Sequence, residues 1–266
     1  MGKYSYAEQI NSLYKDFTKE VIENVDFFLP VSEKAAACLE LAGVNPNRMK
    51  IVPAGVDLNN FQPQSEKKVL REEFNIPQDK LFFISVGRFD WSKGHQDLIS
   101  GLAYLIQKNP EYKEKIVLKL IGQGKFKPFL QELINQYELN SVVELVDFLP
   151  YESLPKWYSA ADLFILLSTI EHGWQEQFGL VFAEAQACGL PILTTDTGSI
   201  AEVVAPESYL IPPSDFLQLA NKLQEIIQNP NQLQIIAQKS LAFAKDRYDS
   251  SKICSQLAEV YHSLSD

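Results

Sequence analysis

The hydrophobic pattern of the chain is most regular after Leu70. Short continuous apolar runs alternate there with stretches in which apolar residues recur every three or four positions. The runs are typical of strands buried on both faces, and the stretches are typical of helices that cover a sheet. Strands are predicted at residues 81–87, 116–121, 142–145, 163–167 and 192–195, with helices near 96–108, 126–137, 152–159 and 180–188. This alternation predicts a doubly wound parallel sheet of the α/β class.

The segments on either side of this region are mainly helical. Residues 4–25 have the spacing of an amphipathic helix, residues 27–31 form an apolar run that predicts a short strand, and Ser32 is placed to cap a helix reaching Ala42. The polar, proline-containing segment 59–68 is the best candidate for a domain boundary. Further helices are predicted at residues 215–228, 230–248 and 250–264.

The loops that follow the predicted strands hold most of the candidate chemistry. In doubly wound sheets, ligands bind at the carboxyl ends of the strands. The loops at these ends read RFDWSKG, GQGKFK, DFLPYES, STIEHGWQEQFG and TTDTGS. We therefore expect the loops to converge on one crevice.

Two glutamates flank a predicted helix start in the fourth of these loops. Glu176 lies before the helix, Glu184 lies about one turn inside it, and Gly179 stands between them. Unpaired amides at a helix start suit a phosphate, and an ionised carboxylate suits the diol of a ribose. The alternative is that Glu176 is a solvated loop acid and Glu184 a surface residue of an amphipathic helix.

Basic residues and glycines occupy the first two loops. Arg88 and Lys93 together could neutralise a diphosphate, the first by bidentate contact and the second as a point charge; ordinary surface charges are the alternative. Gly122 and Gly124 would let the backbone approach a ligand closely. They form only G-x-G without the third glycine of a dinucleotide fingerprint, so their signal is weak.

Composition limits the other classes of function. The chain has 266 residues, 46% of them hydrophobic, and its 24 basic against 34 acidic residues give a net charge of −10. This charge disfavours nucleic acid and anionic membranes as partners. Three widely spaced cysteines fit reduced thiols, and with no signal peptide or membrane span in the pattern we expect a cytoplasmic protein. No metal-ligand or Ser-His-Asp spacing occurs, and His95, His172 and His262 are read as ordinary residues.

Several motifs in one order give the chain a family resemblance. Residues from about Val25 onward resemble the C-terminal part of retaining GT-B glycosyltransferases, in the group that includes glycogen and sucrose synthases and is often called family four. The matching pieces are IVPAGVDLNNFQP, SVGRFDWSKGHQDLI, LIGQGKF, SAADLFILLS, EQFGLVFAEAQACGLPIL and TTDTGSIAEVV. The resemblance implies a Rossmann-like domain that binds a nucleotide-diphosphate sugar as donor substrate, without a metal or another cofactor.

The resemblance also implies roles for particular residues. The loop that begins at Gly87 would place Arg88 and Lys93 on the donor diphosphate, with Glu176 near the donor sugar and Glu184 on the ribose. The other donor contacts would come from the G-x-G loop, from the amides at the helix start and from residues near the base: Gly122, Gly124, Phe178, Gly179, Leu180, Phe148 and Leu149.

The chain also departs from the family pattern. Gly198 and Ser199 stand where the family commonly has Gly-Gly, and His172–Gln175 look inserted before Glu176. A GT-B enzyme needs two Rossmann-like domains, roughly 300 residues or more. We therefore predict a remnant of the acceptor domain with its linker at 1–62, a nucleotide-sugar binding domain at 63–248 and a crossing helix at 249–266.

These expectations leave two functions open. The chain is predicted either to transfer a glycosyl group with retention, weakly when alone, or to serve as a noncatalytic nucleotide-sugar binding subunit. Its uncovered apolar surfaces at 1–60 and 250–266, including Ile253, Leu257, Val260 and Tyr261, predict association with a copy of itself or with a separate acceptor-domain chain.

Overall fold

The computed structural model describes residues 12–64, 66–171 and 173–265 of the chain. Within them lies a parallel sheet of six strands in the order β3-β2-β1-β4-β5-β6. The strands are β1 Leu81–Val86, β2 Ile116–Ile121, β3 Val143–Val146, β4 Leu163–Leu166, β5 Ile192–Thr195 and β6 Tyr209–Ile211. This arrangement confirms the predicted doubly wound α/β fold, and the strand order reverses between β1 and β4.

Helices connect the strands and flank the sheet. The described residues form α1 Ser12–Asn24, α2 Glu33–Leu41, α3 Lys67–Glu73, α4 His95–Lys108, α5 Lys127–Gln136, α6 Leu154–Ala160, α7 Leu180–Ala187, α8 Ile200–Val203, α9 Phe216–Gln228, α10 Asn231–Arg247 and α11 Ser250–Ser265. None of them is both long enough and apolar enough to cross a lipid bilayer. The first part of the predicted N-terminal helix, residues 4–11, lies outside the described residues.

Each face of the sheet has its own hydrophobic core. Along β1 the side chains alternate, so Phe82 and Ile84 enter a core with α6 and α7, whereas Phe83 enters a second core with α4, α5 and α9. The side chains of Phe82, Phe83 and Ile84 are almost fully buried. Because β1 is apolar on both faces, its sequence is a continuous run rather than an alternating one.

Three short elements were not predicted. β6 has only three residues, at the edge of the sheet, and α8 only four, which leaves too few positions for a periodic pattern. α3 has a mostly charged sequence, KKVLREE, with Leu70 as its buried apolar residue. It begins inside the predicted domain boundary at residues 59–68.

The prediction of a strand at residues 27–31 is wrong. This segment makes only an isolated parallel bridge, between Phe28 and Met49. The amide of Phe28 donates to the carbonyl of Arg48 at 2.8 Å, and that of Val52 donates to the carbonyl of Pro30 at 2.9 Å. Pro30 has no amide hydrogen, so it cannot extend the ladder in the other direction.

The N-terminal segment is attached to the sheet domain at two places. Val56 donates its amide to Tyr248 at 2.7 Å and accepts one from Ser250 at 3.0 Å, which joins it to the end of α10 and the start of α11. At the start of α2, the hydroxyls of Ser32 and Ser199 lie 2.8 Å apart. The side chain of Ser32 also accepts from the amide of Ala35, which confirms the predicted helix cap.

The predicted exposure of the last helix is wrong in part. Ile253 and Val260 of α11 are buried within the chain itself, whereas Tyr261 and Leu264 are exposed. The helix lies beside the Val56 segment, where a Cβ at Gly55 would come within 2.9 Å of the Ser250 Cα. The sequence did not reveal this contact because it joins residues almost 200 positions apart. Association with a second polypeptide stays a prediction.

Candidate functional site

An ion pair lies where the strand order reverses. Lys93 follows β1 and Glu176 follows β4, and these strands are neighbours in the sheet. The Lys93 Nζ lies 2.5 Å from the Glu176 Oε2, with the two side chains only 15% and 10% exposed. The Ser168 hydroxyl donates to the same oxygen at 3.4 Å. The opposite charges of the two nearly buried side chains offset part of the cost of removing each from water.

The backbone around this pair is tightly packed. The amide of Ser199 donates to the carbonyl of Glu176 at 2.9 Å. Gly198 has a φ of 56°, and a Cβ there would lie 2.1 Å from the same carbonyl oxygen. The loops after β4 and β5 therefore hold Glu176 between them, and glycine is required at 198 because any side chain would displace it.

Glycine is also required immediately after Lys93. Gly94 has a φ of 66°, and a Cβ there would lie 1.9 Å from the carbonyl oxygen of Leu167 at the end of β4. The turn that presents Lys93 is thus pressed against the strand that leads to Glu176. This close approach keeps the backbone that carries Lys93 next to the end of β4.

The structure requires glycine at both glycine positions of the predicted G-x-G loop. A Cβ at Gly122 would lie 2.0 Å from the carbonyl oxygen of Gly87, and one at Gly124 would lie 2.2 Å from that of Phe89. Both glycines let the loop after β2 lie directly against the loop after β1. A ligand contact at either glycine stays a prediction.

The second predicted glutamate is buried near the start of α7. Gly179, with a φ of 74°, precedes this helix, and Glu184 lies about one turn inside it. The Tyr151 hydroxyl donates to the Glu184 Oε1 at 2.7 Å. Burial raises the pKa of Glu184 above its ordinary value, while the hydrogen bond from Tyr151 opposes that shift. The surface alternative for Glu184 is therefore excluded.

Tyr151 was not singled out by the sequence, although it stands in the DFLPYES loop that was expected at the crevice. Its ring lies 5.0 Å from that of the buried Phe61, centroid to centroid. Burial raises the pKa of Tyr151, and the neighbouring Glu184 raises it further. The hydroxyl stays protonated at neutral pH and remains a donor to the carboxylate.

The remaining predicted residues differ in how far their side chains are exposed. Arg88 is 71% exposed and its Nε lies 2.8 Å from the Asp90 Oδ2. Phe148 is exposed, and Leu149 packs partly buried against the core. The Phe178 ring is buried against Tyr248, so only its backbone is available to a ligand; Leu180 is partly exposed at the helix start.

The described residues just before Glu176, in the segment predicted to be an insertion, make a tight turn. Glu171 and Trp174 exchange backbone hydrogen bonds of 3.2 and 2.7 Å. The Trp174 ring lies over the Lys93 ammonium, with 4.9 Å between the Nζ and the ring centroid. His172 lies outside the described residues. The turn therefore brings an aromatic face to the ion pair, which the sequence did not indicate.

The histidines supply no metal site in the described residues. His95, at the start of α4, is 1% exposed, with its Nδ1 3.3 Å from the Ser85 hydroxyl, and burial lowers its pKa to about 4. His95 is thus a buried residue at the helix start. No group of three or more His, Cys, Asp and Glu side chains in the described part of the chain is arranged to hold a metal ion.

The sheet order and the position of the ion pair define a Rossmann-like α/β protein of the kind found in GT-B glycosyltransferases. The chain belongs to the glycosyl transferases group 1, whose family model matches residues 66–242, more than half of the sequence. This confirms the resemblance drawn from the motifs.

Relatives with known names agree with this family. The chain is 30% identical over 253 residues to D-inositol 3-phosphate glycosyltransferase 2 of Catenulispora acidiphila, covering 92% of this chain and 56% of the relative. It is also 30% identical over 235 residues to a D-inositol 3-phosphate glycosyltransferase of Thermobispora bispora, covering 86% and 53%. The chain spans about half the length of these curated relatives.

Solved structures share the fold over nearly the whole chain. Sucrose-phosphate synthase from Thermosynechococcus elongatus matches with a TM-score of 0.82 at 27% identity, covering 98% of this chain and 64% of that one. Anabaena Alr3699/HepE, solved in complex with UDP and glucose, matches with a TM-score of 0.83 at 23% identity, covering 97% and 69%.

Proposed function

We propose that the chain is the donor-binding part of a glycosyltransferase that transfers a sugar from a nucleoside diphosphate with retention of configuration. The observation that carries the proposal is the Lys93–Glu176 pair at the strand reversal, 2.5 Å apart and almost buried. In doubly wound sheets this position is the ligand crevice. The complexes of the structurally similar HepE with UDP and with UDP-glucose support a nucleotide-sugar donor.

In this proposal the basic residues hold the diphosphate. Lys93 already lies at the crevice, and Arg88 is exposed on the same loop. When the bond between the anomeric carbon and the β-phosphate oxygen breaks, its electron pair goes to the diphosphate. Preorganised positive charge stabilises that leaving group, so no divalent cation is needed for this purpose. The amides at the start of α7, from Phe178 to Leu180, add to this positive field.

The two glutamates have different roles in the same proposal. Glu176 faces the donor sugar, where its carboxylate stabilises the positive character that the ring gains as the bond breaks. Glu184, buried beside Tyr151, accepts hydrogen bonds from the ribose diol. The G-x-G loop borders the diphosphate, and Phe148 and Leu149 lie next to the base.

The proposal is tested by titrating the purified chain with UDP, GDP and ADP in excess chelator and measuring the heat of binding. We expect at least one nucleotide to bind, and Arg88→Ala and Lys93→Ala each to weaken binding by roughly 1.5–3 kcal/mol, the scale of a hydrogen bond to a charged group. Lys239→Ala is the matched control, since this lysine pairs with Glu207 on the surface. Absence of binding at millimolar concentrations of all three nucleotides would contradict the proposal.

A noncatalytic nucleotide-sugar binding subunit is the alternative function, and product analysis separates the two. The catalytic proposal predicts slow donor hydrolysis by the chain alone, with water taking the place of a positioned acceptor. Donor binding with no turnover, both alone and with an acceptor-domain chain, would favour the subunit. Light scattering of the purified chain measures the predicted self-association.

A further inference from the structure

The carboxylate of Glu184 has one oxygen engaged and one that is open. Its Oε1 accepts the hydrogen bond of the Tyr151 hydroxyl at 2.7 Å, and no other group in the described part of the chain donates to either oxygen. Oε2 is not one of the fully enclosed polar atoms that lack a partner. An ionised carboxylate offers about four lone-pair sites, so Glu184 keeps acceptor capacity for a ligand.

The side chain of Tyr151 is restrained by its own turn and by a neighbouring ring. Tyr151 begins a short 3₁₀ turn that ends at Ser153, where the amide and the hydroxyl of Ser153 both donate to the carbonyl of Pro150, at 2.9 and 2.7 Å. The Tyr151 ring also packs on that of Phe61, which is fully buried. Because a tyrosine side chain has few rotatable bonds, these contacts set the direction of its hydroxyl at a low entropic cost.

The same hydrogen bond favours the charged form of Glu184. Burial raises the pKa of the carboxyl, and the hydrogen bond from Tyr151 lowers it. A protonated carboxyl would give up acceptor capacity to its own hydrogen. The phenol hydroxyl therefore both orients the carboxylate and keeps it an acceptor.

We propose that Tyr151 is a positioning residue that sets the preference for ribonucleotides over 2′-deoxyribonucleotides: its hydroxyl holds Glu184 in the orientation in which the carboxylate binds a vicinal diol. Tyr151 acts through Glu184, since its hydroxyl is already bonded to that carboxylate. An acceptor held in place for a hydroxyl loses its partner when the deoxy form binds, which is how a polar site rejects an analogue without that group. The ribose assignment rests on the proposed function.

Tyr151→Phe tests this role by removing a single oxygen atom while keeping the ring that packs on Phe61. Calorimetry compares UDP, GDP and ADP with their 2′-deoxy forms, in the variant and in the unmutated chain. We expect the affinity of the variant for the ribonucleotide to fall about five- to tenfold, because the acceptor is retained but no longer held in place. Its affinity for the deoxy form should stay within about twofold, so the preference for the ribonucleotide should shrink.

The pH dependence of that preference is a readout that a purely structural tyrosine would not change. Without the hydrogen bond the pKa of Glu184 rises further, so the carboxyl of the variant takes up its proton at a higher pH. As the pH falls, the remaining ratio of ribonucleotide to deoxyribonucleotide affinity should therefore decline at a higher pH in Tyr151→Phe than in the unmutated chain. The ratio is followed because both nucleotides carry the same diphosphate, whose own titration cancels.

Two further variants show whether Tyr151 acts through Glu184. Tyr151→Phe combined with Glu184→Gln should bind ribonucleotides no more weakly than Glu184→Gln alone, because the hydroxyl has lost the charged group that it holds. Tyr112→Phe is the matched control: the Tyr112 hydroxyl also bonds a side chain, accepting from the Gln228 Nε2 at 3.1 Å, but it lies in the other core. This variant should bind both nucleotides as the unmutated chain does.

The outcomes distinguish the positioning role from the proposed function. Equal losses for the two nucleotides in Tyr151→Phe, no loss for either, or additive losses in the double variant would overturn the role of Tyr151 and leave nucleotide binding intact. If the unmutated chain binds none of the nucleotides, the proposed function is contradicted and the role of Tyr151 falls with it. A ribonucleotide preference that shrinks in Tyr151→Phe but not in Tyr112→Phe supports both.

Discussion

The Tyr151 hydroxyl donates a hydrogen bond of 2.7 Å to the Oε1 of Glu184. The two residues come from different connections of the sheet, the loop after β3 and helix α7. The bond keeps a carboxylate that burial disfavours fixed in one orientation. Ionisation of the buried Glu184 therefore lowers the stability of the folded chain.

Glu184→Gln should have opposite effects on binding and stability. Because burial raises its pKa, the unfolded chain releases the Glu184 proton at a lower pH than the folded protein does, so stability falls as the pH rises through that window. Glutamine does not ionise, so the variant keeps its stability through this pH window. It should therefore unfold at a higher denaturant concentration at neutral pH. Its affinity for a ribonucleotide should fall about tenfold, because a charged acceptor is replaced by a neutral one.

The ribose contact of Glu184 has its own control. The unmutated chain should bind a ribonucleoside diphosphate more tightly than the 2′-deoxy form, and Glu184→Gln should reduce this difference. Equal affinities for the two forms in the unmutated chain would contradict the assignment of Glu184 to the ribose.

Glu176→Gln should affect the sugar-bearing donor more than the bare diphosphate. The amide keeps the shape of the carboxylate but removes its charge from the proposed sugar site, and it also releases Lys93 from its ion pair. Calorimetry should show donor affinity reduced about tenfold and bare-diphosphate affinity unchanged or increased. A parallel loss for both ligands would place Glu176 at the phosphates instead.

Gly94→Ala should destabilise the fold far more than its backbone angle alone explains. Gly189 is the matched control, because its φ of 74° resembles the 66° of Gly94 but its Cβ would meet only the Pro63 Cγ, at 3.7 Å. Gly189→Ala should cost about 1–2 kcal/mol, the ordinary penalty for a left-handed alanine. Gly94→Ala should cost about 3 kcal/mol or more in urea unfolding, since it also clashes with Leu167. Equal losses would show that the loop can move away.

His95 should make the folded chain sensitive to mild acid. Burial lowers its pKa to about 4 from an ordinary value of 6.5, so the unfolded chain binds this proton first as the pH falls. Stability contributed by neutral His95 is complete above pH 6.5 and is lost toward pH 4, by on the order of 2–3 kcal/mol. His95→Gln should show a correspondingly shallower pH dependence of the unfolding free energy. Identical curves would show that the imidazole is not held neutral.

The sequence predicted the sheet well because buried parallel strands have a clear signature. The strand at 192–195 was predicted with its observed bounds, and α7 begins at Leu180 as the glycine before it indicated. β6 was missed because three residues at an edge carry no such pattern. The burial of Ile253 was not predicted because the residues that pack on it come from the N-terminal part of the chain.

The individual residues of the site could be predicted from the sequence, but the contacts between them could not. Glu176 and Glu184 stood out through their spacing around a helix start. The contact between Lys93 and Glu176 joins residues 83 positions apart, and it depends on β1 lying next to β4. Sequence periodicity does not determine which strands are neighbours, so neither this pair nor the Tyr151–Glu184 pair could be derived from it.

Ser199 belongs to two connections at once. Its amide holds the Glu176 carbonyl at 2.9 Å, and its hydroxyl lies 2.8 Å from that of Ser32, the cap of α2. One turn further on, both carboxylate oxygens of Glu202 accept from the first amides of α2, at Glu33 and Lys34. The short turn that fixes Glu176 is therefore also the turn on which the start of α2 is held, so the N-terminal segment and the ion pair share one stretch of backbone.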